Sequence, residues 1–302
     1  MDFNISVSID TNLCVGCGIC VEVCPHDTIS VIDGKAKITG DHSISCGHCA
    51  AACPENAIKV DVIDKTMSCY NSFEIDDKWM GFGKTDLNEL VRLMRSRRSC
   101  RNYKDKQISI DILDDLVKIG ITAPSGSNCQ LWTFHILKDR KSVLMLGGHV
   151  LNFFKRLNWM AEKTILRIFS YWFSNDELNK YYDNYYNKVK DAIYQFENNN
   201  IDKLFHGATA VILIGGKKGG SSPLEDALLA SQNILLAAHA MGLGSCLIGF
   251  AVEAMKRDPS IKQKIGIPPD ESIYSVIALG YPKEKYKRIA GRKKVKINIL
   301  NS

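Results

Sequence analysis

Two segments between residues 85 and 124 carry apolar residues at helical spacing. The first begins at Thr85, an N-cap residue type, and its apolar positions recur at three- and four-residue steps: Leu87, Leu90, Val91 and Met94. The second begins at Ser109 and stops before Pro124, and its apolar face comprises Ile110, Leu113, Leu116 and Val117. Each pattern predicts a helix with one face on a core.

Short runs rich in β-branched and aromatic residues predict three strands, at Trp132–Leu137, Ala208–Ile214 and Ser272–Leu279. Between the first two lies Leu151–Phe205, a stretch of aromatic and charged residues whose period is helical, and we interpret it as a helical excursion or lid. The longest apolar stretch, Ala227–Phe250, contains polar residues and glycines. It therefore predicts a buried helix with its exit loop, and no membrane span is expected.

Cysteines set the pattern of the first sixty residues. They form two blocks: Cys14, Cys17, Cys20 and Cys24-Pro25, then Cys46, Cys49 and Cys53-Pro54. Every cysteine lies 29 positions from its counterpart or from Ser43. The first block is the complete bacterial run C-x2-C-x2-C-x3-C-P, in which three thiolates hold one iron–sulfur cluster and the fourth binds the other cluster.

That spacing rule assigns four ligands to one [4Fe–4S] cluster: Cys14, Cys17, Cys20 and Cys53. It assigns three to the second: Cys24, Cys46 and Cys49. The second set lacks one thiolate because Ser43 stands where the first block has Cys14. Four outcomes stay open for the second cluster: a Ser43 alkoxide, a ligand from Asp41 or His42, the distant Cys69, or a [3Fe–4S] centre.

Zinc and disulfides are the alternative uses of these cysteines. Four cysteines within eleven residues followed by proline do not match zinc-ribbon spacing. Disulfides are disfavoured because 11 cysteines is an odd number and because the polar start MDFNISVSID has no hydrophobic signal region. Reduced thiols in turn favour a cytoplasmic location.

Length and charge divide the chain. The 302 residues predict a cluster domain at 1–62, a linker at 63–85 and a larger domain at 86–302. Residues 1–60 carry seven acidic and three basic side chains, a balance of −4, so the total of +6 leaves +10 for the remainder. A basic body suits docking of the acidic cluster domain and binding of a phosphorylated cofactor, although ordinary surface lysine explains it equally well. No motif for reading nucleic acid accompanies the charge.

Three segments of the larger domain carry candidate chemistry. Arg97–Arg101 places three guanidiniums and a hydroxyl within five residues at a helix end, where they either hold a phosphate or complement the helix dipole. Ala123–Trp132 is a turn of small and amide side chains that either connects elements or approaches a flat ligand. Gly242–Phe250 closes a buried helix, and its backbone amides can face a ligand.

In this order and at these separations, the three segments resemble the nitroreductase family of FMN-dependent oxidoreductases over about residues 88–300. The cysteine region resembles a two-cluster bacterial ferredoxin, so the chain looks like a ferredoxin–nitroreductase fusion. The resemblance implies an α+β fold, with a central, mainly antiparallel sheet flanked by helices. It also implies bound FMN, two iron–sulfur clusters and a homodimer.

The same resemblance assigns residues to the flavin. Arg97, Ser99 and Arg101 would hold the FMN phosphate and ribityl chain, with Arg98 contributing through its backbone. Four residues would approach the flavin from the neighbouring subunit: Pro124, Ser125, Asn128 and Gln130. Leu131 departs from the family's proline. Three residues would lie against the isoalloxazine ring: Leu247, Ile248 and Gly249. Arg292 would add a last basic group at the phosphate, with Arg288 as the second candidate.

No catalytic side chain is expected, because the flavin itself would carry the chemistry. We expect an external donor, reduced ferredoxin or NAD(P)H, to supply electrons that pass through the clusters to FMN and then to a small acceptor such as a nitroaromatic or a quinone. Two alternatives are open: NAD(P)H reduces FMN and the clusters export electrons, or the chain is a non-catalytic redox sensor or electron-shuttle subunit. Neither a nucleic acid nor a membrane is expected as a partner.

Overall fold

The N-terminal region is built twice from one backbone pattern. In the computed structural model, which describes residues 4–300, its strands form two antiparallel pairs: β1 (Val7–Ile9) with β4 (Ile58–Val60), and β2 (Ile29–Ile32) with β3 (Lys35–Ile38). Each cysteine block contains one short helix, α1 (Ile19–Glu22) or α2 (His48–Ala52). Left-handed backbone recurs at the 29-residue interval, at positions 16 and 45, 18 and 47, and 27 and 56. The repeat seen in the cysteines is therefore a repeat of structure.

The linker is fastened to the larger domain. After a 3-10 turn at Lys65–Ser68, the backbone N–H groups of Asn71 and Ser72 donate to the buried carboxylate of Asp115 at 2.7 to 3.0 Å. The Ser72 hydroxyl donates to the same carboxylate at 2.6 Å. Although burial raises the pKa of Asp115, these hydrogen bonds bring it below its ordinary value. A charged carboxylate thus holds the linker in place.

The larger domain has one four-stranded sheet in the order β5-β6-β8-β7, and all its pairs are antiparallel. Its strands are β5 (Trp132–Leu137), β6 (Ala210–Lys217), β7 (Gly244–Leu247) and β8 (Glu271–Gly280). Among the described residues its helices are α3 (Leu87–Ser96), α4 (Ile110–Gly120), α5 (Arg140–Glu162), α6 (Thr164–Phe173), α7 (Glu177–Asn184), α8 (Tyr186–Asn199), α9 (Pro223–Ala240), α10 (Gly249–Arg257) and α11 (Ser260–Lys264). The architecture is α+β, as expected.

Two hydrophobic cores cover the two faces of this sheet. On one face α9 packs on β6 and β8, and α4 packs on α9, in a core that includes Leu116, Ile234 and Ile212. On the other face α5, α8 and α10 form a core that includes Leu146, Phe205 and Met255. The middle strands β6 and β8 are buried along most of their length, which explains their continuous apolar sequence.

Most predicted elements are present, with shifted ends. Ser109 caps α4 as expected, but α3 is capped by Asp86, whose carboxylate accepts from two amides of the first turn, and not by Thr85. Asp86 directly precedes Leu87, the first apolar residue of the helix, and aspartate is a better N-cap residue than threonine. The helical excursion predicted from Leu151 begins at Arg140 and comprises α5 to α8. Strand β6 runs three residues beyond the predicted end at Ile214, because a bulge at Gly215 lets its pairing with β8 continue.

Strand β7 was missed by the sequence analysis, which interpreted its glycine-rich segment only as a helix stop and loop. The strand occupies an edge of the sheet, and β8 is its only partner among the strands of the described residues. Among residues 4–300, no helix combines the length and the apolar composition that a bilayer-spanning segment requires.

Candidate cluster and cofactor sites

Four cysteines line one small cavity of the N-terminal region: Cys14, Cys17, Cys20 and Cys53. These are the four that the spacing rule assigns to one cluster. Cys53 comes from the second block, so the chain crosses between the blocks to complete the set, as in a two-cluster arrangement. The amides of Ala36 and Gly16 hydrogen-bond the Cys14 sulfur and lower the pKa of that thiol, which favours the thiolate needed to bind iron.

A second cavity gathers the other three cysteines, Cys24, Cys46 and Cys49, together with Ser43. Its rim also includes His26 and His48. Burial raises the pKa of Cys24, but amide hydrogen bonds at His26 and Thr28 outweigh this effect and bring it below the ordinary value. Three cysteine side chains and one hydroxyl therefore face one space.

The donor chemistry of both cavities suits iron–sulfur clusters. Soft thiolates select such clusters, and amide N–H groups directed at sulfur stabilise their negative charge. The Thr28 amide lies 3.4 Å from the Cys24 sulfur, and the Ala57 amide lies 3.3 Å from the Cys53 sulfur. Among residues 4–300, no three His, Cys, Asp or Glu side chains converge on a single-ion position. A cubane requires no such convergence, because each thiolate binds its own iron atom.

An arginine-rich segment lies along the free edge of β7 in the larger domain. Arg97 terminates α3, and Ser99 then forms an isolated parallel bridge with Ser245 of β7. The Cys100 amide donates to the Ser245 carbonyl at 2.9 Å. The sheet edge thereby fixes the segment that contains Arg97, Arg98, Ser99 and Arg101.

Arginine side chains gather there without acidic partners. Burial lowers the pKa of Arg97, and the neighbouring charges of Arg292 and Arg98 lower it further. No ion pair of the described residues includes Arg97, Arg98, Arg101 or Arg292. Nearby, the buried Ser245 hydroxyl has no hydrogen-bond partner. Like charges beside an unsatisfied hydroxyl are the features of a site for an anion such as phosphate.

A large cavity of about 1190 Å³ opens beside this segment. Arg101 and the segment Cys246–Phe250 line one side, and residues of α5, α6 and α7 line the other. The Ile248 amide donates to the Val276 carbonyl at 2.8 Å. The next amides, those of Gly249 and Phe250, begin α10, where helix geometry provides no acceptor, so they are the donors available to a ligand. Leu247 is half exposed at the cavity wall.

The remaining predicted residues, Pro124, Ser125, Asn128 and Gln130, lie at the opposite edge of the sheet. Their turn leads into β5, whereas the arginine segment and Leu247–Gly249 lie at β7, and the two edge strands are about 14 Å apart at ordinary strand spacing. None of the four lines the large cavity. The structure therefore does not bring all the predicted flavin residues together within one chain.

Instead, the turn at 124–130 contacts the second cysteine cavity. Asn128 Nδ2 donates to the Ile44 carbonyl at 2.9 Å, and Ile44 follows Ser43 directly. Gln130 supports this arrangement by donating to Asn128 Oδ1 at 2.9 Å. Ser127, Asn128 and Gln130 all have φ near +50°, so the turn is held in a conformation that side chains rarely adopt. No local sequence pattern indicated this contact, because it joins residues 84 positions apart.

Comparison with known proteins identifies two regions. A model of the nitroreductase family matches residues 94–281, and a model of the 4Fe-4S binding domain matches residues 7–30, which include the first cysteine block but not the second. The chain is 25% identical over 203 residues to a putative NADH dehydrogenase/NAD(P)H nitroreductase of Archaeoglobus fulgidus, covering 66% of this chain and 88% of that protein. It is also 25% identical over 203 residues to a 4-nitrobenzoate reductase of a Nocardioides species, covering 63% and 78% respectively.

A solved structure shares the fold. The structure of a nitroreductase with bound FMN from Bacteroides fragilis superposes with a TM-score of 0.51 at 22% identity, covering 71% of this chain and 100% of that one. At this identity the likeness concerns the fold alone.

Proposed function

The chain belongs to the nitroreductase family and carries an N-terminal 4Fe-4S binding domain, and from this premise we propose that it passes electrons between two iron–sulfur clusters and FMN to reduce a small acceptor such as a nitroaromatic or a quinone. Family membership makes it an oxidoreductase, so the non-catalytic sensor is not retained. The observation that carries the proposal is the hydrogen bond from Asn128 to Ile44, which joins the second cysteine cavity to a turn of the flavin-type domain.

The arginine segment is the proposed seat of the FMN phosphate. Arg97, Arg101 and Arg292 would neutralise the phosphate, while the Ser99 and Ser245 hydroxyls would complete its hydrogen bonds. Leu247 and Ile248 would support the ring, and the Gly249 amide would donate to its edge. Bound there, FMN supplies electron transfer singly or in pairs, and the protein supplies binding and orientation.

Electrons from the second cluster are proposed to enter the larger domain at the Asn128 turn. Ile44 lies within the loop that contributes Ser43 and Cys46 to the second cavity, so its carbonyl is a short covalent path from that site. The Asn128 hydrogen bond continues this path into the larger domain at 2.9 Å. Low-potential clusters suit flow in this direction, since plant-type ferredoxins, for example, have potentials of about −400 mV.

We further propose a homodimer in which the second copy supplies the Asn128 turn to the flavin. Within one chain this turn and the arginine segment lie at opposite sheet edges, and the turn does not line the large cavity, so a flavin bound there would receive the turn from the second copy. Helix α6 also exposes apolar side chains that a second copy would cover: Ile165 at 79%, Trp172 at 75% and Phe173 at 72% exposed. Each flavin site would then be completed by the partner chain.

Anaerobic reduction of the clusters tests the relay. Reduced ferredoxin is mixed with the holoprotein in a stopped-flow instrument, and cluster and flavin absorbance are followed together. We expect cluster reduction to be followed by flavin bleaching. A Cys20→Ala variant with bound FMN should lose ferredoxin-driven bleaching and keep bleaching by a chemical reductant. Reduced clusters beside an oxidised flavin would exclude the relay.

A second candidate is the reverse flow, with NAD(P)H as donor and the clusters as electron exit. Two observations favour it: the name of the Archaeoglobus fulgidus relative, and a cavity of about 1190 Å³, which exceeds the roughly 300–1,000 Å³ of ordinary ligand sites and leaves room for a nicotinamide over a flavin. Mixing with NADH or NADPH in the same instrument separates the candidates, because only reverse flow bleaches the flavin before the clusters.

A further inference from the structure

The two cysteine cavities are copies of one another, residue by residue. All twelve residues that line the first cavity have a counterpart 29 positions away that lines the second. The ligands follow this rule, as Cys17 corresponds to Cys46 and Cys53 to Cys24. At one position only does the ligand type change, where Cys14 corresponds to Ser43.

The backbone around Ser43 copies the backbone around Cys14. Two positions after Cys14, Gly16 has a φ of 73°, and two positions after Ser43, Ser45 has a φ of 51° although it is not glycine. Gly18 and Gly47 follow with 80° and 76°. Left-handed backbone costs a serine about 1 kcal/mol or more, so its presence at Ser45 indicates that the loop must keep this path.

Hydrogen bonding is copied as well. In the first block the Gly16 amide hydrogen-bonds the Cys14 sulfur. In the second block the equivalent amide, that of Ser45, donates to Ser43 Oγ at 3.1 Å. The Ser43 side chain is buried at 9% exposed. Its oxygen therefore occupies the place and the hydrogen-bonding role of the first block's sulfur.

From this equivalence we propose that Ser43 Oγ is the fourth protein ligand of the second cluster, which is then a [4Fe–4S] cluster with three thiolates and one alkoxide. The inference rests on the proposed presence of that cluster. On binding, the Ser43 hydroxyl loses its proton to water and an Oγ–Fe bond forms, with no change in oxidation state. A hard oxygen ligand stabilises ferric iron, so this cluster has a lower potential than one with four thiolates.

The other candidate ligands are placed less well. Asp41 is 97% exposed and its carboxylate contacts His42, while Cys69 lies outside the cavity with its carbonyl bound by Lys118. His26 and His48 do line the second cavity. Their counterparts in the first cavity, Glu55 and Ile19, are not needed as ligands, because four cysteines complete that set.

Iron analysis and Mössbauer spectroscopy of the oxidised, anaerobically purified holoprotein test the assignment. We expect about eight irons per chain, with about one in eight showing the parameters of an oxygen-bound site. In Ser43→Ala that iron is lost, leaving about seven and the EPR signal of a three-iron centre. In Ser43→Cys about eight irons are kept, the distinct site disappears, and the potential of the second cluster rises. The control Ser30→Ala removes a hydroxyl of the same domain outside both cavities and should match the wild type.

Equal iron content and equal spectra for Ser43→Ala and the wild type would overturn the assignment, as would a three-iron centre in the wild type. The wild-type Mössbauer spectrum decides the matter even if Ser43→Ala fails to fold. These measurements involve no flavin reduction. A protein with the distinct iron whose flavin is not bleached would refute the relay alone, and a protein with about four irons would refute the second cluster itself.

Discussion

Replacing Arg97 with alanine should weaken the binding of FMN and raise the thermal stability of the apoprotein. Arg97 is half-buried beside Arg98 and Arg292, and no carboxylate of the described residues pairs with it. Without a phosphate, burial and like charge disfavour its charged form. With a phosphate, the same guanidinium forms charge-assisted hydrogen bonds, each worth about 1.5–3 kcal/mol. Losing one such bond weakens FMN binding roughly 10- to 150-fold.

Fluorescence titration of apoprotein with FMN measures the affinity, and thermal unfolding of the apoprotein measures the stability. The matched control is Arg95→Ala, an exposed arginine of the last turn of α3, which should change neither quantity appreciably. Wild-type and Arg95→Ala apoproteins should also gain more thermal stability from FMN than Arg97→Ala does. Unchanged FMN affinity in Arg97→Ala would show that the arginine segment is not the phosphate site.

Four further predictions concern the scaffold. Asp115→Ala should release the linker by removing hydrogen bonds worth about 2–3 kcal/mol, which would speed amide hydrogen exchange over residues 69–75 roughly 30- to 150-fold. The control Asp111→Ala, which changes an exposed carboxylate, should not speed this exchange. Unchanged exchange in Asp115→Ala would contradict the role given to Asp115. Because the pKa of Asp115 is lowered by folding, its contribution should be complete above about pH 4 and should shrink as the pH falls below that value, as denaturation at several pH values would show. Gly215→Ala should destabilise the sheet by about 1–3 kcal/mol in chemical denaturation, since its Cβ would lie 2.3 Å from the Ser272 carbonyl oxygen; wild-type stability would refute this packing. Burial and the neighbouring Glu284 raise the pKa of the Cys100 thiol to about 12. Mass spectrometry after alkylation at pH 8 should therefore find the exposed Cys69 modified and Cys100 intact. Equal labelling of the two cysteines would be inconsistent with this environment of Cys100.

The sequence was most informative in the cluster domain, where the binding of an iron–sulfur cluster determines the spacing of the cysteines. The cysteine blocks predicted two ligand sets, and the structure gathers the same sets in two cavities, because a short loop can wrap a cluster in only one way. Apolar periodicity predicted α3, α4, α9 and the helical stretch α5 to α8, and β-branched and aromatic runs predicted three strands, whereas α10 and α11 were not predicted. The family resemblance was equally decisive for the fold and is confirmed by the family model.

Long-range placement could not be predicted from local pattern. Strand β7 was missed because four residues rich in small side chains have no distinguishing period, and only pairing with β8 makes them a strand. Likewise, the Asn128–Ile44 contact and the pairing of Ser99 with Ser245 depend on how distant segments meet. The roles of Arg97, Gly249 and Arg292 at a flavin stay predictions, supported by an arginine cluster that the sequence had suggested.

The separation of β5 from β7 at the two ends of the sheet has a consequence for how the protein behaves on dilution. If each chain offers its cluster contact at one edge and its phosphate site at the other, turnover per chain should fall as concentration drops below the dissociation constant of the pair. Iron and flavin content per chain need not fall with it. An enzyme arranged in this way would be inactive when newly made and scarce, and it would become active only once enough chains had accumulated to pair.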